Sequence, residues 1–378
     1  MTVEILKGTK DNVPIEQIRI NKIVGVISKN FEKYGFRPFD TPVIEYFDVL
    51  AMKYDEDAEI VQEIFKVTDR GDRALGLRYD LTTPLCRFMA MNRTLKKPFR
   101  RYQIGKVFRD GPIKPGRLRE FVQCDGDVVG ELGVAVEAEL LVLFSTTYKE
   151  LGINSVLEIN NNKILRGAFL QEGFKETDLQ KLILSVDKLK KIGVDGVLAE
   201  IKESGFDSKK AKKVIEILNS KSFVEIKKLA KDSLLLEGIN ELETLSELIK
   251  PYVAFRINFS MSRGLDIYTG NIWEAYDKDE KIPSSIGSGG RYDKVIGEYL
   301  ESTEEIPAVG ISFGLVPILA CLESEKQKEG VTEILVVPLD ENLITDAFKL
   351  ANDFRKKYNV EIFYKYKLKK AFEYAQYL

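Results

Sequence analysis

The segment from Arg93 to Arg119 carries a high density of cationic side chains. It holds ten lysines and arginines and one acid, Asp110, in a chain whose net charge is -2. Such a concentration favours a polyanionic ligand. A solvated strand edge that uses charge against aggregation is the alternative interpretation. The ten residues are Arg93, Lys96, Lys97, Arg100, Arg101, Lys106, Arg109, Lys114, Arg117 and Arg119.

The end of this segment has the spacing of a strand with one polar face. Side chains two residues apart share a face of a strand, and the same parity groups Arg78, Asp80 and Thr82. Arginine forks suit phosphates, an aromatic ring suits a base, and an amide with carboxylates suits a polar substrate. The spacing therefore predicts a ligand-binding floor made of Arg117, Arg119, Phe121, Gln123, Asp125 and Asp127.

Two further segments could bring charge or backbone to a cleft. Arg263 follows an apolar strand and precedes a glycine, so it could reach inward, although a surface arginine is the commoner case. Gly287–Asp293 is predicted to be a glycine-rich turn that leads into a helix and comes close to another group. It lacks the Gly-Lys-Ser/Thr ending of a P-loop and the dinucleotide-binding fingerprint.

Composition limits the chemistry that these residues can perform. The chain contains no histidine, which excludes imidazole bases, serine-type triads and histidine-ligated metals. Cys86, Cys124 and Cys321 lack metal-ligand or redox spacing, so reduced, buried thiols and no metal site are predicted. No apolar run has membrane-spanning length, and the N-terminus does not resemble a signal peptide. We therefore expect a cytoplasmic protein.

Periodicity and turn residues indicate the elements that must position the candidate residues. Apolar residues recur at helical spacing near the N-terminus, and alternation around Asp69–Asp72 is typical of a hairpin. Thr83 is predicted to cap a helix whose first position is Pro84. The predicted elements are a helix over 14–34, a hairpin over 65–78, a helix opened by Thr83-Pro84, and strands over 99–109 and 117–128.

Further along, the pattern predicts an α+β core with an antiparallel sheet, a helical insertion and the start of an α/β domain. Strands return at 254–260 and 271–276 after the insertion. Beyond a polar linker, strand 333–338, helix 342–357, strand 359–364 and a helix from 366 predict a parallel pair. These last residues are too few for a self-sufficient domain, so a truncated domain is expected. The predicted divisions are 1–159 (first part of the core), 160–250 (insertion), 251–324 (second part of the core), 325–332 (linker) and 333–378 (incomplete domain).

Six segments in order resemble motifs of the class II aminoacyl-tRNA synthetases and, within them, of the histidyl-tRNA synthetases. Each motif alone is moderately specific, and their shared order makes the resemblance strong. It covers about residues 5–320 and then the opening of an anticodon-binding domain, through Leu368-Lys369-Lys370. The segments are Lys7–Asp11, an N-terminal signature; Thr41–Glu45, the dimer-forming motif 1; Phe108–Gln123, the ATP-binding motif 2; Arg263–Gly270 and Gly289–Asp293, two histidine-specific signatures; and Val309–Leu315, the start of motif 3.

The resemblance implies a homodimer that activates histidine with ATP and Mg²⁺ and transfers it to tRNA(His). A carboxylate that attacks phosphorus needs alignment and charge stabilisation rather than a general base, so a chain without histidine can perform this step. The implied roles are as follows: Arg109 and Arg263 as catalytic contacts to the α-phosphate, Arg109 also to the amino-acid carboxylate; Arg117 at the terminal phosphates; Phe121 on adenine; Asp80, Thr82 and Gln123 at the α-ammonium; Asp127, Tyr268 and Tyr292 at the imidazole.

Two departures from the family pattern keep alternatives open. Motif 3 usually continues with an arginine that contacts ATP, whereas Pro317 follows here, so ATP binding would need compensation from Arg117 or Arg119. The incomplete anticodon-binding domain leaves tRNA selection open. One alternative is a non-catalytic paralogue resembling the regulatory subunit of ATP phosphoribosyltransferase, which Arg109 and Arg263 argue against. A nucleic-acid-binding module without catalysis would explain the basic segment but not Arg263.

Overall fold

A computed structural model describes residues 3–52, 59–113, 118–131, 133–263, 267–322, 330–365 and 367–378. The chain divides into two compact units. The first contains the residues up to Lys10 and Val24–Leu322, and the second contains Asp11–Ile23 and the C-terminal residues up to Leu378. Among the described residues, no helix has both the length and the apolar character needed to cross a membrane.

The described helices and strands follow one another along the chain with short connections. The helices are α1 (Pro14–Lys33), α2 (Phe47–Ala51), α3 (Glu59–Gln62), α4 (Thr82–Met91), α5 (Val134–Glu150), α6 (Asn162–Gln171), α7 (Leu179–Val186), α8 (Leu189–Glu203), α9 (Ser208–Leu218), α10 (Phe223–Leu229), α11 (Ser233–Ile249), α12 (Val295–Glu298), α13 (Leu315–Leu322), α14 (Ile344–Phe354) and α15 (Leu368–Tyr377). The strands are β1 (Arg37–Pro38), β2 (Ile44–Tyr46), β3 (Lys66–Thr68), β4 (Ala74–Leu77), β5 (Phe99–Phe108), β6 (Glu120–Val129), β7 (Ser155–Asn161), β8 (Phe255–Ile257), β9 (Asn271–Asp277), β10 (Gly287–Arg291), β11 (Ala308–Gly314), β12 (Ile334–Val336) and β13 (Val360–Ile362).

The first unit is built on a sheet with the strand order β1-β5-β6-β11-β10-β9-β7-β8. The pairs are antiparallel except β1 with β5 and β7 with β8. A smaller antiparallel sheet, β2-β4-β3, contains the hairpin predicted around Asp69–Asp72. The predicted α+β fold with an antiparallel core is confirmed.

Aromatic packing fixes the central strands against α1 and α5. Phe31 on α1 is fully buried, stacks on Tyr102 of β5 and meets the edge of Phe313 on β11. Phe144 on α5 contacts the other side of Phe313, with 4.6 Å between ring centroids. Because such rings each bury a large apolar area, they hold β5, β6 and β11 rigidly beneath the candidate site.

Two predicted elements differ from what the structure shows, one in type and one in its first residue. Gly287–Arg291 is strand β10 rather than a turn, because β9 and β11 pair with both of its edges and override the low strand propensity of glycine. The helix predicted to start after Thr83 begins at Thr82, and Asp80 accepts a hydrogen bond from the Thr83 amide at 2.8 Å. Pro84 is therefore the third residue of α4 and still lies in its first turn.

Helices α6 to α11 occupy the chain between β7 and β8, and the second unit contains a parallel strand pair. In that unit β12 pairs with β13, as the sequence predicts, around a small core of Val336, Ala347, Ala351 and Ile362. The division into domains at 159, 250, 324 and 332 remains a prediction, and the linker residues 325–329 lie outside the described part of the chain.

Candidate active site

A polar cavity of about 230 Å³ opens over the central strands of the large sheet. Strands β6, β10 and β11 provide its floor, and the chain before α4, the end of β5 and the segment around Tyr268 provide its walls. Eight residues to which the resemblance gives a role line it, namely Asp80, Thr82, Arg109, Gln123, Asp127, Arg263, Tyr268 and Tyr292. Residues separated by more than 200 positions are thus brought together at one cavity.

A second cavity of about 320 Å³ shares the walls of the first. Arg109, Gln123, Ser288 and Ser312 line both cavities, so the two spaces adjoin. The second one is more apolar and is lined by Leu118, Phe121, Val122, Phe313, Gly314, Leu315, Val316 and Pro317. A flat apolar group such as a base fits this lining, whereas the first cavity suits a small charged molecule.

Asp127 is the most firmly held carboxylate of the first cavity. It is buried, accepts a 2.5 Å hydrogen bond at Oδ1 from the Tyr292 hydroxyl, and lies 2.7 Å at Oδ2 from Nη2 of Arg101. The guanidinium of Arg101 is fully buried but is not aligned as a donor to Oδ2, so this is a charge contact. Burial raises the pKa of Asp127, and Arg101 and Tyr292 oppose that rise.

Arg109 and Phe121 form a charged and aromatic pair at the junction of the cavities. Nε of Arg109 donates to the carbonyl oxygen of Tyr79 at 3.2 Å, and the guanidinium carbon lies 5.1 Å from the centroid of the Phe121 ring. This cation–π contact holds the guanidinium where it faces both spaces. A phosphate between the cavities could therefore be contacted by Arg109 while a base lies near Phe121.

Arg263 is a second cation that lines the first cavity. Its guanidinium carbon lies 5.2 Å from the centroid of Tyr268, and its buried Nη1 makes no hydrogen bond within the described residues. Asn160 of β7 holds the preceding turn, because its Nδ2 donates to the carbonyl oxygens of Phe259 and Met261 at 3.0 and 2.8 Å. Arg263 thus carries a buried cationic donor that a bound anion could satisfy.

Glycines on the floor make room for these side chains. A Cβ atom at Gly310 would overlap Oδ1 of Asp127, and one at Gly290 would lie 2.7 Å from the Tyr268 ring. The glycine-rich segment therefore brings backbone close to functional side chains, as predicted, although it does so as a strand.

The partners of one predicted cavity residue, Asp125, escaped the sequence analysis. Asp125 is buried on the cavity floor, where its Oδ1 accepts a 2.6 Å hydrogen bond from Ser312, its cross-strand neighbour on β11. Burial raises the pKa of Asp125 to about 7, with a further contribution from the nearby Asp127. Strand parity already places Asp125 on this face, but no sequence signal indicates that Ser312 or Arg101 would be its neighbours.

The polyanionic ligand suggested by the basic segment remains a prediction, and the structure shows where the segment's side chains lie. Of its eight described cations, four form ion pairs with described acids, and Arg109 is the member of the eight that lines both cavities. Arg119 does not line either cavity, and Arg78 instead donates to the backbone of Thr41 and Lys106. Arg117 lies outside the described residues. The ion pairs are Arg100 with Glu131 and Glu139, Arg101 with Asp127, Lys106 with Glu120, and Arg119 with Asp110.

Comparison with known proteins agrees with this arrangement of motifs. A family model described as histidyl-tRNA synthetase matches residues 8–318. The chain belongs to the histidyl-tRNA synthetase family. It is 38% identical to histidine--tRNA ligase 1 of Bacillus cereus, an alignment that covers 99% of the chain and 90% of the relative. It is 40% identical to histidine--tRNA ligase 2 of Shouchella clausii over 96% of the chain and 87% of the relative.

A solved member of the histidyl-tRNA synthetase family has the same fold. The crystal structure of the enzyme from Nostoc sp. PCC 7120 superimposes with a TM-score of 0.85 at 28% identity, covering 100% of this chain and 90% of that one. The resemblance inferred from the six motifs is thereby confirmed.

Proposed function

We propose that this chain is a histidine--tRNA ligase, which activates histidine with ATP to histidyl-adenylate and transfers it to tRNA(His). The observation that carries the proposal is the pairing of two adjoining cavities, with Arg109 lining both and Arg263 lining the first. One cavity has the carboxylates for a cationic amino acid, and the other has the apolar lining for a base. Relatives at 38% and 40% identity with this name support the same reaction.

In the activation step, a carboxylate oxygen of histidine attacks the α-phosphorus of ATP. The new O–P bond forms as the bond from that phosphorus to the pyrophosphate oxygen breaks, and pyrophosphate leaves with the electron pair. Negative charge on the α-phosphoryl oxygens is stabilised by Arg109 and Arg263, which both line the first cavity. Arg109 also orients the attacking carboxylate, and Phe121 stacks on adenine with Arg117 at the terminal phosphates.

Histidine is held through its two nitrogen-bearing groups, the α-ammonium and the imidazole. Asp80, Thr82 and Gln123 bind the α-ammonium, and Asp127, Tyr268 and Tyr292 surround the imidazole. The Tyr292 hydroxyl and the Arg101 guanidinium keep Asp127 in one orientation, so its charge can align a ring N–H group. A buried carboxylate with fixed partners discriminates strongly against amino acids whose side chains lack a polar donor.

Mg²⁺ enters this proposal together with ATP. Among the described residues no group of three or more acids and cysteines is suited to hold a metal ion. In the proposed reaction the ion would enter bound to the phosphates of ATP and would neutralise charge on the leaving pyrophosphate. The proposal also includes a homodimer formed through Thr41–Glu45, a cytoplasmic location alongside the other components of translation, and recognition of tRNA(His) with help from the C-terminal unit.

The non-catalytic paralogue is not favoured as an alternative. It would retain a histidine cavity but would not need Arg109 at the junction with a second cavity together with Arg263 in the first. The relatives that match nearly the full chain carry the ligase name.

Histidine-dependent exchange of pyrophosphate into ATP tests the activation step, and a gel assay for charged tRNA(His) tests the transfer step. The purified chain should catalyse exchange with histidine and not with other amino acids. Measurable histidine binding without any exchange would overturn the proposal in favour of the paralogue. Exchange without tRNA charging would restrict the activity to adenylate formation.

A further inference from the structure

Arg291 lies beside the histidine cavity without lining it. It belongs to the Gly289–Asp293 signature, in which the proposed function gives a role to Tyr292 only. Its side chain is buried to about nine-tenths, so its charge must be compensated within the protein. The structure shows that compensation comes from three carboxylates on separate parts of the chain.

The guanidinium of Arg291 connects β10 with α5 and α11. Its Nη2 donates to both carboxylate oxygens of Glu241 on α11, at 2.9 and 2.8 Å. Nη1 lies 3.2 Å from Glu137 on α5, and Nε lies 3.2 Å from Asp293. A guanidinium that pairs with three carboxylates is fixed in both position and plane.

Glu241 is itself held by residues at the junction of β7 and α6. Nζ of Lys163 lies 2.8 Å from its Oε1, and Nδ2 of Asn161 donates to its Oε2 at 2.8 Å. Asn161 also donates to Asn271 of β9, whose own amide donates to the buried Glu137. The cluster therefore links α5, α6, α11, β9 and β10 by direct polar contacts.

The same arginine is in contact with the segment that carries Tyr268. Gly270 allows this approach, because a Cβ atom there would overlap the Arg291 guanidinium. The Thr269 amide donates to the Arg291 carbonyl at 2.8 Å, and Asn162 donates to the Tyr268 carbonyl. Tyr268 and Tyr292, the two tyrosines of the cavity, are thus placed relative to each other through Arg291 and its neighbours.

We propose that Arg291 and Glu241 are positioning residues for histidine, which set Tyr268 and Tyr292 against Asp127 from outside the cavity. The inference rests on the proposed function, because it assigns the two tyrosines to the imidazole side of the site. Because Glu241 belongs to α11, the inference also means that the helices α6 to α11 influence the geometry of the histidine cavity. Loosening this link should weaken histidine binding while leaving the nucleotide cavity unaffected.

Glu241→Gln is the sharpest test, because it removes one charge and keeps the shape of the side chain. We expect the KM for histidine in pyrophosphate exchange to rise on the order of 10-fold, with kcat and the KM for ATP changed less than about 2-fold. Arg291→Lys, which keeps the charge but loses the planar fork, should move the same parameter in the same direction.

Glu243→Gln is the matched control. Glu243 is on the same helix two residues away and pairs with Lys227 at 2.5 Å, away from the cavities. Its replacement should leave the KM for histidine unchanged. Thermal unfolding of each variant would separate a loss of stability from a change in binding.

Two outcomes would overturn the inference. One is an unchanged KM for histidine in Glu241→Gln; the other is an equal loss of kcat, ATP affinity and stability, which marks a purely structural role. Histidine binding measured by calorimetry without ATP keeps this test separate from catalysis. If the parent chain shows no exchange but Glu241→Gln weakens histidine binding 10-fold, positioning holds and the ligase proposal fails.

Discussion

The hydroxyl of Tyr292 reaches Asp127 across a strand that separates their two segments. Asp127 is on β6 and Tyr292 follows β10, and β11 lies between these strands in the sheet. The 2.5 Å hydrogen bond passes over Gly310 of β11, where a Cβ atom would overlap the Asp127 carboxylate. Gly310 therefore leaves the space in which the Tyr292 hydroxyl and the Asp127 carboxylate meet.

Tyr292→Phe should weaken histidine binding more than catalysis. A hydrogen bond to a charged acceptor contributes about 1.5–3 kcal/mol, so the KM for histidine should rise on the order of 10-fold or more. Steady-state pyrophosphate exchange at saturating ATP measures this change. Tyr276→Phe is the control, because Tyr276 also donates to a carboxylate, Glu274, but does not line either cavity. Equal effects of the two substitutions would contradict the role of Tyr292 at the imidazole.

Arg263→Ala should act on the chemical step. Loss of one donor that stabilises transition-state charge typically lowers kcat on the order of 10²-fold or more, and exchange should fall accordingly. Arg256→Ala is the matched control, because its guanidinium lies 5.5 Å from the Tyr276 ring in the same kind of stacked contact, outside the cavities. A loss confined to the KM for histidine in Arg263→Ala would place this arginine on the amino acid rather than the α-phosphate.

Alternation made the paired strands under the site predictable. The strands predicted over 99–109 and 117–128 are β5 and β6, with small shifts at the ends. Because side chains alternate strictly between faces, parity alone placed Phe121, Gln123 and Asp127 on the cavity side. The resemblance to the family then connected these residues with Arg263 and Tyr292, which are distant in sequence.

The remaining features could not be predicted because they depend on pairing between strands that are distant in the sequence. Gly287–Arg291 has the composition of a turn, and only its pairing with β9 and β11 makes it a strand. Arg101 belongs to a cluster of cations that suggested a ligand, yet its cross-strand neighbour Asp127 takes up its charge inside the protein. Local composition does not show which acid will neutralise a given base, because the register of the sheet decides it.

Pro317 lines the second cavity, and the resemblance to motif 3 implies an arginine that contacts ATP at this position. Pro317→Arg should lower the KM for ATP on the order of 10-fold, because a guanidinium there would add charge-assisted hydrogen bonds to the phosphates or the base. Position 317 is in the first turn of α13, so the helix should accept the change. Pro317→Ala controls for the loss of proline. An unchanged KM for ATP in Pro317→Arg would indicate that the nucleotide does not reach this helix.

Asp125→Asn should change the pH dependence of stability. Burial raises the folded-state pKa of Asp125 from its ordinary 3.8 to about 7, so the folded state binds more protons than the unfolded state between these values. Stability contributed by this group therefore falls as pH rises from about 4 to 7. The amide carries no charge and keeps an acceptor for Ser312, so the variant avoids that loss.

Denaturant unfolding of both proteins at pH 5 and pH 8 measures this effect. We compare the free energy of unfolding of Asp125→Asn with that of the parent at each pH. The variant's value minus the parent's should be larger, meaning a more stable variant, at pH 8 than at pH 5, by at least about 1 kcal/mol. Other buried acids such as Glu137, whose pKa is also raised to about 7 by burial, are present in both proteins and cancel in the comparison. A difference that does not depend on pH would mean that Asp125 stays ionised at pH 5. In that case Arg101 outweighs burial at the cavity floor.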